Sequence, residues 1–233
     1  MGARKRSGVF VLVGGGEFSA GCRELDAELV AWSSAEEVVV LPTAAAYEHP
    51  DRVGERAAEH FEELGVKVRA LDVLHRTEAE DEKNAEIVRA ADFVYLADGS
   101  PLHLRSVLKD SALFGALLSA YHGGAVLAAS GAGATVLCDP MVDPRGGAYT
   151  VGLGVVRNLA VFPYHGTAAD HLRERSIDLL PSNATLVGVD EETALVRDAD
   201  AAWRVAGVGH VTVYDADSST VYESGRGIPG LPA

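Results

Sequence analysis

Short apolar runs alternate with amphipathic stretches through the first 137 residues, and few architectures accept that rhythm. Val9–Val13, Glu37–Leu41, Val66–Val73, Phe93–Leu96 and Gly124–Ala129 read as strands. Between them, Cys22–Trp32 carries Leu25, Leu29, Val30 and Trp32 at helical spacing. Asp51–Leu64 places Val53, Ala57, Phe61 and Leu64 on one face, with Gly65 as its stop. Glu80–Ala91 reads as a polar helix, Leu102–Tyr121 as one or two helices, and Ala132–Leu137 as the start of another. A βαβα alternation implies a mostly parallel sheet with helices on both faces, because each parallel crossover lays a helix on the sheet. The last third changes character. Val155–Tyr164, Thr185–Val189, Ala194–Arg197, Trp203–Ala206, His210–Tyr214 and Thr220–Tyr222 are short strands at hairpin spacing, with His171–Leu180 the one clear helix among them. The expectation is one α/β domain over residues 1–233, a three-layer α/β/α sandwich whose parallel sheet is extended by antiparallel strands.

Composition narrows the function classes. Hydrophobic residues make up 48% of the 233-residue chain and charged residues 23%, which suits a sizeable core rather than disorder. The formal net charge of −14 opposes phosphate backbones and anionic lipid heads, so neither nucleic acid nor a membrane surface is an expected partner. The basic start Met1–Ser7 runs into an apolar stretch only a strand long, ended by Gly14-Gly15-Gly16-Glu17, so secretion is not expected. Cys22 and Cys138 lie far apart and lack CxxC spacing. They suggest neither a disulfide framework nor zinc, and a reducing, cytoplasmic setting is the simplest reading. No His/Asp/Glu grouping has metal-ligand spacing, and no cofactor is expected. The glycine run lacks the last glycine of a dinucleotide fingerprint and no Gly-Lys-Ser/Thr follows, so it reads as a tight turn.

In open α/β sheets chemistry gathers at the carboxyl ends of strands. Four such ends are rich in small or polar residues: Gly14–Gly16, Asp98–Ser100, Ser130–Gly133 and Tyr164–Gly166. The third is the most informative. Ala125–Ala129 is a strand, and Ser130-Gly131-Ala132-Gly133-Ala134 turns sharply into a helix. That is the build of a nucleophile elbow, whose apex projects a side chain at the substrate while the helix start offers backbone N–H groups to an oxyanion.

The segment resembles the Gly-Thr-Ser-Ala-Gly-Ala signature of cyanophycinases and the Trp-Ser-Ala-Gly-Ala of dipeptidase E. Further pieces match in the same order over residues 8–215: the first glycine turn, Asp98-Gly99 where the family has Gly-Gly, Gly152-Leu153-Gly154, and Val187–Leu195, similar to Gly-Ile-Asp-Glu-x-Thr-Ala-Leu. The resemblance implies a class I glutamine amidotransferase-like fold and a serine-type exopeptidase of small or isoaspartyl-like peptides. In this register the family's serine falls on Gly131, so hydrolysis is expected to be reduced or absent. Glycine accepts positive φ without a Cβ penalty, so the elbow survives while its Oγ is lost. Ser130 is the adjacent hydroxyl, but neighbouring residues at a strand end face opposite ways.

By the same resemblance the base is His165, with His171 its rival; the orienting acid is Glu191, flanked by Asp190 and Glu192; and the oxyanion donors are the N–H groups of Gly99 and Ala132. Asp98 sets a negative charge beside the site, unfavourable to an anionic substrate group, and Pro101 stands where cyanophycinases carry a polar residue. Three readings remain open: a disarmed hydrolase; a non-catalytic module holding a peptide or amino acid; and a hydrolase using Ser130 or a water activated by His165. The resemblance also leaves room for a homodimer.

Overall fold

The computed structural model describes residues 8–143, 145–215 and 218–232; the basic segment Met1–Ser7 lies outside them. The parallel strands are β1 (Phe10–Val13), β2 (Glu37–Leu41), β3 (Lys67–Ala70), β4 (Phe93–Leu96) and β5 (Val126–Ser130). The helices between them are α1 (Arg23–Ser33), α2 (Pro50–Glu62), α3 (Arg76–Ala79), α4 (Glu82–Arg89), α5 (Pro101–Leu108) and α6 (Ala112–Gly123). The polar helix expected over Glu80–Ala91 is α4, with the one-turn α3 just ahead of it, and Leu102–Tyr121 resolves into two helices. Ser100 caps the first of these by accepting the His103 N–H, and Ser111 caps the second through the Phe114 N–H. Such caps satisfy amides that have no partner inside a helix.

After β5 comes α7 (Ala132–Leu137), then the short strands β6 (Cys138–Asp139), β7 (Met141–Val142), β8 (Tyr149–Thr150) and β9 (Val156–Arg157), then β10 (Leu159–Phe162) and α8 (Asp170–Asp178). The chain continues through β11 (Thr185–Val189), β12 (Thr193–Arg197), β13 (Trp203–Gly207), β14 (His210–Tyr214) and β15 (Ser219–Glu223). The main sheet has the order β13-β12-β1-β5-β4-β2-β3, in which β1 to β5 run parallel and β12 and β13 join antiparallel. The expected antiparallel extension is present, but only through two strands. Six others form a second sheet of order β15-β14-β11-β10-β6-β9, and β7 and β8 pair by themselves. Hairpin spacing shows that strands pair, not which sheet they join.

The period-2 alternation of the strands sorts the core into two sides. Val11, Val13, Val126 and Ala128 pack against Leu25 and Leu29 of α1 and Val53, Ala57 and Phe61 of α2. Phe10, Leu12, Leu127 and Ala129 face the opposite side, which they share with α6, α7 and the second sheet. Strand β5 is the central strand of the main sheet, so its carboxyl end, where the chain turns into α7, lies mid-molecule.

Candidate active site

Gly131 sits at the apex of the turn from β5 to α7 with φ +46° and ψ −102°. An L side chain adopts that conformation only under strain, so the strand–apex–helix geometry of an elbow persists with a residue that bears it freely. The space before the apex is filled. A Cβ at position 131 would overlap the carboxylate of Asp98, whose farther oxygen, Oδ2, would be only 2.5 Å away. Asp98 Oδ1 accepts the Ala132 N–H at 2.5 Å, and Asp98 Oδ2 accepts the Tyr164 hydroxyl. Burial pushes the Asp98 carboxyl up to about 6; the Ala132 and Gly99 amides oppose the rise, while Glu17 and Glu48 add to it. The two amides assigned to the oxyanion by resemblance therefore both bear on a carboxylate of the chain itself.

Ser130 is fully buried, on the α1/α2 side with Val126 and Ala128, as strand alternation requires. Its Oγ donates to Glu17 Oε2 at 2.8 Å, and the Asp98 N–H donates to Glu17 Oε1 at 3.2 Å. Glu17 thus ties the end of β5 to the turn after β4 from behind. The first glycine turn is built into the same wall: Gly14 and Gly15 carbonyls accept the Tyr164 and Glu192 amides, and a Cβ on Gly15 would overlap the Tyr164 ring.

His165 is turned the other way, onto the second sheet. Its Nδ1 lies 3.3 Å from Asp190 Oδ1 and its Nε2 lies 2.6 Å from the Tyr214 hydroxyl. Gly188 makes room for the ring, since a Cβ there would overlap it. Burial holds the imidazole below its ordinary value, against the opposing pull of Asp190. The neutral ring can then donate from Nδ1 to Asp190 and accept the Tyr214 O–H at Nε2. The carboxylate on His165 is Asp190, where the resemblance implied Glu191. Glu191 is a surface partner of Thr167, whose Oγ1 donates to its Oε2 at 2.7 Å, and Glu192 Oε1 accepts the Ser19 hydroxyl at 2.6 Å. His171 lies exposed on α8.

The structure thus brings together Gly131, Ala132, Gly99 and Asp98, and separately His165 with Asp190. The residue that reaches from the second sheet to the elbow is Tyr164, held at φ +55°. Tyr164 and Glu17 were not singled out from the sequence. The directional rule applied to Ser130 turns Tyr164 away from the site once His165 is taken as the inward-facing base, so the reversed orientation of the pair emerges only from the packed structure. A cavity of about 210 Å³ opens beside the elbow, between Asp98, Ala132 and Thr135 on one side and Val142, Phe162 and Leu172 on the other. The two cysteines are buried and unpaired, with thiols pushed up to about 12 by burial, which suits small core residues rather than nucleophiles. Among the described residues no group of three or more His, Cys, Asp or Glu is placed to hold a metal ion.

A central parallel strand that turns at its carboxyl end through a positive-φ apex into a helix defines an α/β scaffold of the elbow-bearing peptidase kind. Comparison with known proteins makes this specific: residues 10–204 match the profile of Peptidase family S51, and the chain belongs to that family. A cyanophycinase of Trichormus variabilis is 27% identical over 226 residues, spanning 90% of this chain and 74% of the relative. One from Geminocystis herdmanii is 27% identical over 207 residues, spanning 81% and 73%. The crystal structure of a peptidase from an acI-B1 Actinobacterium superposes with a TM-score of 0.87 at 26% identity, covering 97% of this chain and 98% of that one. A putative peptidase E from Listeria monocytogenes shares the fold, with a TM-score of 0.63 at 14% identity over 93% and 98% of the two chains. No helix among the described residues is long and apolar enough to cross a membrane.

Proposed function

We propose that this chain is a disarmed member of the serine-type S51 peptidases: it keeps the elbow scaffold and a ligand-sized pocket but does not hydrolyse peptides. One observation carries the reading. The Asp98 carboxylate occupies the volume that a side chain at position 131 would need and takes the Ala132 amide for itself. An oxyanion hole works by presenting unoccupied donors to charge that develops in the transition state. A resident carboxylate removes that readiness, and Gly131 supplies no nucleophile. Use of Ser130 is disfavoured by its burial and its bond to Glu17. Activation of a water by His165 is disfavoured because both ring nitrogens already face partners. The proposed role is retention of a small ligand bearing an amino group, in a cytoplasmic setting suited to two free buried thiols.

The test is turnover of α- and β-aspartyl dipeptides by the purified chain. No release above buffer is expected. Turnover abolished by Ser130→Ala would transfer the activity to that hydroxyl. Turnover abolished by His165→Ala alone would transfer it to an activated water.

A further inference from the structure

We propose that the cavity beside Gly131 binds a small primary amine with an apolar body and no carboxylate, its ammonium seated on Asp98. The inference rests on the non-hydrolytic reading of the site and names its ligand. Asp98 is the one charged side chain among the described residues that line the cavity; Val142, Phe162, Pro163, Ala168 and Leu172 give it an apolar wall. The partners of that carboxylate within the site are neutral donors, the Ala132 and Gly99 amides and the Tyr164 hydroxyl. The cation close behind the site, Arg56, pairs with Glu17 at 3.9 Å.

A carboxylate held against apolar surface without a counter-ion is a costly arrangement that an ammonium relieves. Three donors still leave accepting capacity for an ammonium, since an ionised carboxylate can accept about four hydrogen bonds. The cavity's 210 Å³ exceeds the roughly 150 Å³ of an apolar cavity that holds benzene, so it admits a branched alkyl group or one aromatic ring. A zwitterionic amino acid would bring its own carboxylate towards Asp98, and Glu17 and Glu48 lie behind it as further negative charge. Binding requires Asp98 ionised. Burial sets its titration first, countered by the Ala132 and Gly99 amides and reinforced by Glu17 from the first glycine turn and Glu48 ahead of α2; the Tyr164 hydroxyl faces it across the cavity. With its carboxyl at about 6, affinity for a permanent cation falls about tenfold from pH 8 to pH 5.

The experiment is calorimetric titration of the full chain with phenethylamine, 2-phenylethanol and 3-phenylpropionate at pH 8 and pH 5, on wild type and Asp98→Asn. Saturable binding of the amine alone is expected, weaker by about tenfold at pH 5 and by roughly tenfold or more in Asp98→Asn, since a charge-assisted contact becomes a neutral one. Unfolding curves of the unliganded variant show whether it is folded. Equal binding of amine and alcohol, binding of the carboxylate, or an amine response unchanged in folded Asp98→Asn overturns the amine site and leaves the disarmed reading standing. Dipeptide turnover by the wild type overturns the disarmed reading and does not touch the amine result.

Discussion

In the register proposed for the elbow, Gly131→Ser would supply the missing nucleophile, and the structure indicates that it fails on its own. Two costs combine. The apex backbone at φ +46° strains any L side chain, by about 1–3 kcal/mol for such sites. The new Cβ also overlaps the Asp98 carboxylate, and overpacking of this kind costs typically about 1–3 kcal/mol after neighbours shift. Together these give about 2–6 kcal/mol, or a fall in Tm of roughly 5–20 °C for a chain of this size. Asp98→Ala removes the obstruction but not the backbone strain. In the double variant the steric part therefore disappears, leaving a favourable coupling of about 1–3 kcal/mol between the two positions. Denaturant unfolding of wild type, both single variants and the double variant at pH 8 closes the cycle. Additive effects, with coupling below about 0.5 kcal/mol, or a neutral Gly131→Ser, would refute the argument that Asp98 stands where a side chain at the apex must go.

Other consequences follow from neighbouring groups. The Asp98 carboxyl lies at about 6 in the fold against an ordinary 3.8, so the folded chain holds a proton that the unfolded chain has released between those values. That contribution to stability is present below pH 4 and is lost as pH rises through 6, at a cost of up to about 3 kcal/mol at neutral pH. Asp98→Asn should therefore be more stable than wild type at pH 8 and lose that advantage by pH 4, read from chemical unfolding at each pH. Ser130→Ala leaves Glu17 Oε2 without its buried donor, and a loss of about 1.5–3 kcal/mol is expected by the same assay, with no change in dipeptide turnover. Asp26 and His60 form a buried pair at 2.8 Å between α1 and α2. His60→Leu strands a carboxylate that burial already disfavours, and about 3–5 kcal/mol should be lost; Asp26→Leu/His60→Leu should regain a large part.

Much of the fold was legible because its signals are local. Apolar strands of four or five residues separated by amphipathic helices specify a parallel sheet, and the small residues from Ser130 to Ala134 specify the turn from β5 into α7. The partition of the later strands into two sheets was not legible, because β10 to β15 carry the same short alternating pattern whichever sheet they join. At the site, strand parity alone turned Ser130 away from the cavity. The pairing of His165 with Asp190 rather than Glu191 depends on how the chain leaves β11, where Glu192 takes φ +55°; three consecutive acidic residues give no sign of which one turns inward. Asp98 was visible as a charge near the site. Its seat in front of Gly131 is a contact across 33 positions that only the packed sheet creates.

The central claim is that the elbow carries no working nucleophile because Asp98 has taken its place. Fluorophosphonate labelling of the native wild-type chain, with the modified residue mapped by mass spectrometry, tests it most directly. No adduct is expected at any serine, because Gly131 has no hydroxyl and Ser130 is buried against Glu17. An adduct on Ser130 would contradict the account, since it would mean a live hydroxyl at the elbow and an oxyanion hole that Asp98 does not occupy.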